Sequence, residues 1–149
     1  MPNKTIQIAL ALLILLSLAL SACSAGGQAE AHADMAPMSA MPAEVQQAPE
    51  AVSQAYRFAV ANPEILTGLP CYCGCGAMGH TSNLSCFIQD VEDDSSIAWD
   101  NHALGCGICV DIAQDVMRLS AEGESLTDIR TYVDATYSSF GPPTNTPLP

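Results

Sequence analysis

Residues 70–80 read PCYCGCGAMGH. Three thiols, Cys71, Cys73 and Cys75, fall within five positions, and His80 follows five residues later. On an extended backbone alternate side chains share a face. C-x-C-x-C therefore lets three sulfurs converge on one ion or cluster, and Gly74 and Gly76 remove bulk so that the chain can wrap inward. Cysteines two apart make strained disulfides with one another. Bridges from this loop to distant cysteines stay open if the chain is exported. Downstream lie Cys86, His102 and the pair Cys106-Gly107-Ile108-Cys109. That C-x-x-C stands at a predicted helix start, where unpaired N–H groups and the helix dipole favour thiolate. Thiolate serves a metal ligand and a thiol–disulfide oxidoreductase alike. No βαβ pattern surrounds Cys106 and Cys109, so redox catalysis is the weaker reading.

The candidate ligand set is thus Cys71, Cys73, Cys75, His80, Cys86, His102, Cys106 and Cys109. Cys86, beside Phe87 and Ile88, has a plain alternative as a buried apolar residue. Each histidine has one as a solvated hydrogen-bonding group. Asp100 lies close enough to His102 in sequence to orient its ring. Trp99 reads as a core anchor.

Thiolates select soft or borderline ions: Cu(I), Zn(II), or toxic metals such as Cd and Hg. Eight donors fill two closed tetrahedral zinc sites, whereas C-x-C spacing suits multi-metal thiolate clusters better. Residues 32–41, HADMAPMSAM, add weaker candidates, His32, Met35, Met38 and Met41. Thioethers are soft and need no deprotonation, so this stretch tilts the expectation toward Cu(I) over Zn(II). Its alternative is an Ala/Met/Pro linker without a role.

Three helices are predicted to position these groups. The first spans about 49–61, with Ala51, Ala55, Phe58 and Ala59 on one face and Asn62-Pro63 as its stop. The second runs from about Cys106 to Ala121, with Ile108, Ile112, Val116 and Leu119 as its stripe and Gly123 after its end. The third follows Ser125, where Ser125-Leu126-Thr127-Asp128 has capping-box form; its inner face is Leu126, Ile129, Val133 and either Tyr137 or Thr136. Between the first and second lies Gly68–Gly105, with four of the six cysteines after Cys23 and no convincing strand pair; residues 85–101 read as one short turn or strand. Irregular segments of that length need a staple. The expected fold class is mainly α: a small single domain of about three helices with a long Cys-rich, metal-ordered loop.

The chain begins with one cation, Lys4, then an uncharged run from Thr5 to Ala22 and Leu20-Ser21-Ala22-Cys23. That is the layout of an export signal. Its end resembles the lipobox of bacterial lipoproteins, which implies that Cys23 is lipidated and becomes the first mature residue. The alternatives are a transmembrane anchor or plain secretion. The expected organisation is a signal peptide at 1–22, a disordered Ala/Met/Pro tether at 23–48, a Cys-rich domain at 49–140 and a disordered tail at 141–149. The net charge of −12, with only Arg57, Arg118 and Arg130 as cations after residue 22, excludes a nucleic-acid footprint.

Pro70-Cys71-Tyr72-Cys73-Gly74-Cys75 resembles the PCYCGC-motif proteins, bacterial lipoproteins regarded as heavy-metal binders. The likeness continues through Gly79-His80, Cys86-Phe87, Asp100-x-His102, Cys106-x-x-Cys109 and the final helix to Tyr137. It implies a metal-binding lipoprotein that is not an enzyme and does not name the metal. The expected function is sequestration or delivery of a soft ion. Its place is the extracytoplasmic face of a bacterial cell membrane, with the membrane surface, metal ions and a metal transporter or acceptor protein as partners. The competing readings are a partner-binding module held by zinc or disulfides, and an extracytoplasmic thiol oxidoreductase.

Overall fold

The computed structural model describes residues 34–92 and 96–149, all within one compact unit, Ala31–Pro149. The predicted signal peptide, the lipidation site Cys23 and the weaker ligand His32 lie outside the described residues. Six α-helices and one small antiparallel pair build this part of the chain: α1 (Ala43–Gln46), α2 (Glu50–Ala61), α3 (Pro63–Thr67), β1 (Ile88–Val91), β2 (Ile97–Trp99), α4 (His102–Gly105), α5 (Gly107–Ala121) and α6 (Leu126–Tyr137). Among the described residues, no helix is long and apolar enough to cross a membrane.

The three long helices fall where their apolar periods and caps put them. In α2 the buried face is Ala55, Tyr56, Phe58 and Ala59, joined by Ser53. Helix α5 buries Cys109, Ile112, Ala113, Val116 and Leu119, and packs between α2 and α6. Helix α6 buries Ile129, Val133 and Tyr137, and Ser125 Oγ accepts from the Asp128 N–H at 3.2 Å. Pro63 ends α2 as expected, but it also begins α3, because proline is well suited to a first helical turn.

The segment 68–105 is more regular than its sequence suggests. Turns of 3₁₀ helix form at Cys75–Met78 and Leu84–Cys86. Strands β1 and β2 pair with Ile88 opposite Trp99 and Val91 opposite Ile97, with an irregularity between Ile88 and Asp90. Strands of four and three residues carry too few alternations for a period to be read. The pair is anchored from the core: Tyr56 stacks edge-on against Phe87 at 5.0 Å, and its hydroxyl donates to the Asp100 carbonyl at 2.7 Å. Trp99 sits half-buried beside that anchor, 6.3 Å from the Tyr56 ring.

Both flanks expected to be disordered are packed where they are described. Residues 34–48 form a 3₁₀ turn at Met38–Ala40 and then α1, and they bury Met41 and Val45. Arg57 Nε donates to the Ala36 carbonyl at 2.7 Å, and Asn62 Nδ2 donates to the Asp34 carbonyl at 2.8 Å. Here Pro37 and Pro42 start short turns rather than preventing structure. The tail from Gly141 has neither helix nor strand, yet it straps the cysteine loop. The Thr144 N–H donates to the Cys71 carbonyl, and the Cys71 N–H donates back to Thr144 Oγ1, both at 2.9 Å. Gly141 passes so close to this loop that a Cβ there would stand 2.8 Å from the Tyr72 carbonyl oxygen. Only glycine permits that approach.

Candidate metal centre

Leu69 and Pro70 are fully buried and carry Cys71 into the core. Cys73 follows on the same side, and the two sulfurs lie 3.3 Å apart. At Gly74 the backbone turns left-handed, with φ at +84°, a conformation that side-chain-bearing residues rarely adopt. The extended alternation expected through C-x-C-x-C stops there. Cys75 opens the 3₁₀ turn and its sulfur faces Cys86 at 3.7 Å. The three loop thiols therefore meet different partners: Cys73 faces His102 and Cys109, and Cys75 faces Cys86.

From the other side, Cys106 precedes the first residue of α5 and Cys109 lies in its first turn, fully buried. Asn83, itself fully buried, donates from Nδ2 to the Cys109 carbonyl at 3.3 Å and so ties the loop to this helix. Cys109 Sγ is 3.4 Å from Cys71 Sγ and 3.6 Å from Cys73 Sγ. His102, from α4, brings Nε2 to 3.3 Å from Cys73 Sγ.

Two groups of side chains thus offer donor atoms that all lie within 4.8 Å of one another. One is Cys73, His102, Cys106 and Cys109; the other is Cys71, Cys75 and Cys86. His80 stands at the edge of the second, its Nδ1 3.5 Å from Cys86 Sγ. All eight predicted ligands are therefore gathered in one region. A tetrahedral ion with metal–sulfur bonds of about 2.3 Å separates its sulfurs by about 3.8 Å, close to the spacings here. A disulfide needs about 2.05 Å, and the six cysteines among the described residues are all free thiols.

The weaker candidates fare differently. Met41 is buried in the hydrophobic core, Met35 packs against it and Met38 is exposed at the surface. Met41 and Met35 thus use their thioethers as apolar packing groups, which removes the tilt toward copper that this stretch lent.

Asp100 also has a different partner from the expected one. Its Oδ1 accepts from the backbone N–H of His102 at 2.8 Å, while Oδ2 lies 3.4 Å from His80 Nε2. The carboxylate therefore orients the His80 ring and leaves Nδ1 as the atom presented to Cys86. The imidazoles of His80 and His102 meet edge to face at 5.3 Å. Asp100→Asn keeps an acceptor for the His102 N–H but removes the charge beside His80. It should lower metal affinity by about 10–100-fold, read by competition with a chromophoric chelator. An unchanged affinity would remove His80 from the ligand set.

Mutual hydrogen bonding and burial divide the protons of the cluster unevenly. Bonds from Cys109 and then Cys86 hold the Cys71 thiol far below its ordinary range. The contacts with Cys71 and Cys86, then burial, push Cys109 up. Burial is the main cause that raises Cys73 and Cys75. Further negative charge beside a thiolate at this distance is costly in a buried cluster. A cation replaces those protons and cancels the repulsion, so metal uptake here releases protons. The His80 edge borders an open cleft of about 440 Å³ walled by Gly76, Ala77 and the tail residues Pro142 and Pro143.

The strap at Thr144 and the buried Asn83 had no signal in the sequence, because a single threonine in a proline-rich tail and a single asparagine in a loop are uninformative types. A protein family described as "Protein of unknown function with PCYCGC motif" matches residues 12–149. No curated protein and no solved structure matches the chain.

Proposed function

The chain belongs to this PCYCGC-motif family, and we propose that it is a non-catalytic, membrane-anchored protein that binds a soft heavy-metal ion for sequestration or delivery. One observation carries the reading. Five unpaired thiols and two imidazoles, drawn from four separate stretches of chain, meet with spacings of 3.3–3.7 Å between neighbouring donors, and a sixth thiol, Cys106, lies within 4.8 Å of Cys73, Cys109 and His102. Packing six thiols together without cross-linking them has no stabilising purpose of its own, and it suits a soft cation. Cu(I) is the first choice, because a thiolate-rich donor set favours the softest of the common ions. Zn(II) is the second, because Cys73, Cys106, Cys109 and His102 supply the S₃N set of many closed zinc sites. Against the oxidoreductase reading, Cys109 is fully buried and touches Cys71 and Cys73, so Cys106 and Cys109 do not stand as an isolated pair.

Metal analysis of protein purified without oxygen, with a count of free thiols, tests this. The expected result is stoichiometric metal, and six titratable thiols once it is stripped from the lipidated protein. Disulfides and no metal would sink the proposal. Bound zinc that stoichiometric Cu(I) does not displace would select the second reading.

The anchor rests on Lys4, the apolar run and Cys23. Attached acyl chains bind a bilayer by about 0.8 kcal/mol per buried CH₂. Cys23→Ser should therefore leave the protein unattached. Recovery of that variant in the membrane fraction as an uncleaved precursor would favour a transmembrane anchor instead. A metal transporter or acceptor protein on the same face is the partner class that a delivery role requires.

A further inference from the structure

The separations between the two donor groups are as short as those within them. Cys71, assigned by distance to the group with Cys75 and Cys86, lies 3.3 Å from Cys73 and 3.4 Å from Cys109, which belong to the other. With the 3.6 Å between Cys73 and Cys109, these three sulfurs make a nearly equilateral triangle. An ion about 2.3 Å from each sulfur sits about 1.2 Å off such a triangle, leaving a fourth corner for a donor on one side. His102 Nε2, 3.3 Å from Cys73, is that donor. Cys106 lies within 4.8 Å of Cys73, Cys109 and His102, but it is only half-buried and makes none of the 3.3–3.7 Å contacts that join the other donors.

We propose that the cluster holds two ions as one binuclear centre in which the Cys71 sulfur is shared. One ion takes Cys71, Cys73, Cys109 and His102. The other takes Cys71, Cys75 and Cys86, with His80, at the edge of that group and 3.5 Å from Cys86, turning in as its fourth donor. Each is then four-coordinate with an S₃N set, and seven of the eight donors are used. Cys106 is left as the outer thiol, a corner of neither site, where an arriving or departing ion meets the protein. The bridge also eases a charge problem: a thiolate shared by two cations puts fewer negative charges into a buried site than two separate sets would.

This inference rests on the metal-binding reading above, and one experiment separates the two. The full chain is loaded anaerobically with ¹¹³Cd(II), a soft spin-½ probe with zinc-like geometry, and examined by cadmium NMR beside Cys71→Ser. The expected result is two ions per wild-type chain, with two resonances split by cadmium–cadmium coupling through the shared sulfur, and loss of that coupling in Cys71→Ser. Two uncoupled resonances or a single bound ion in the wild type, or coupling that survives in Cys71→Ser, would overturn the shared-thiolate centre and leave metal binding standing. A chain that takes up no cadmium, Cu(I) or zinc overturns both.

Discussion

Cys73→Ser should lower metal affinity by more than a hundredfold, while Met41→Ala should leave it unchanged and weaken the fold instead. Cys73 touches Cys71 at 3.3 Å, His102 Nε2 at 3.3 Å and Cys109 at 3.6 Å. A serine there withdraws a soft anionic donor from the middle of the cluster. Its effect should exceed the 10–100-fold loss that follows when only an outer partner of a ligand is removed. Met41 carries a sulfur too, and in sequence it belongs to a candidate soft-metal stretch. In the structure it is 4 % exposed and packs with the core. Truncating a buried methionine costs about 2–5 kcal/mol through lost burial and the cavity left behind. Competition titrations and urea unfolding of the two variants, side by side, read both halves. A Cys73→Ser protein that bound metal with wild-type affinity and stoichiometry would remove this loop from the site.

Removing the metal should unfasten residues 68–105 and leave the three long helices in place. Helices α2, α5 and α6 bury continuous apolar faces against one another, and that burial does not depend on a cation. The cysteine segment has only 3₁₀ turns, a four-residue helix and strands of four and three residues. Elements so short are not stable alone. Its backbone hydrogen bonds should therefore exchange quickly once the thiols are left to repel or protonate, while helical circular dichroism persists. An ion present at a thousandfold excess over its Kd stabilises the folded state by about 4 kcal/mol. For a domain of this size that raises Tm by roughly 15–30 °C. Equal melting temperatures with and without metal would mean that the centre does not order the loop, and that the core and the Thr144 strap suffice.

Much of the framework was legible in the residues alone. The three long helices follow from apolar periods of 3.6 and from local stop and start chemistry, as in the Ser125 cap and the Asn62-Pro63 stop. Both signals act within one element, so no knowledge of the rest of the chain is needed. The donor set was legible for a similar reason: cysteine and histidine at such spacings have few other uses. What the sequence did not contain is the partition of those donors. That Cys75 reaches Cys86 depends on the left-handed turn at Gly74, and whether Asp100 orients His102 or His80 depends on how β2 delivers it to the loop. These are contacts between residues distant in the chain, set by packing rather than by local preference. The same holds for the flanks. Alanine, proline and methionine in residues 34–48, and prolines after Gly141, read as linkers by composition. Their structure comes from burying Met41 and Val45 and from the Thr144 bonds to Cys71. Sequence determined which atoms can bind metal; the tertiary structure alone decided which of them meet, because a sulfur's partners are fixed by the path of the backbone that carries it.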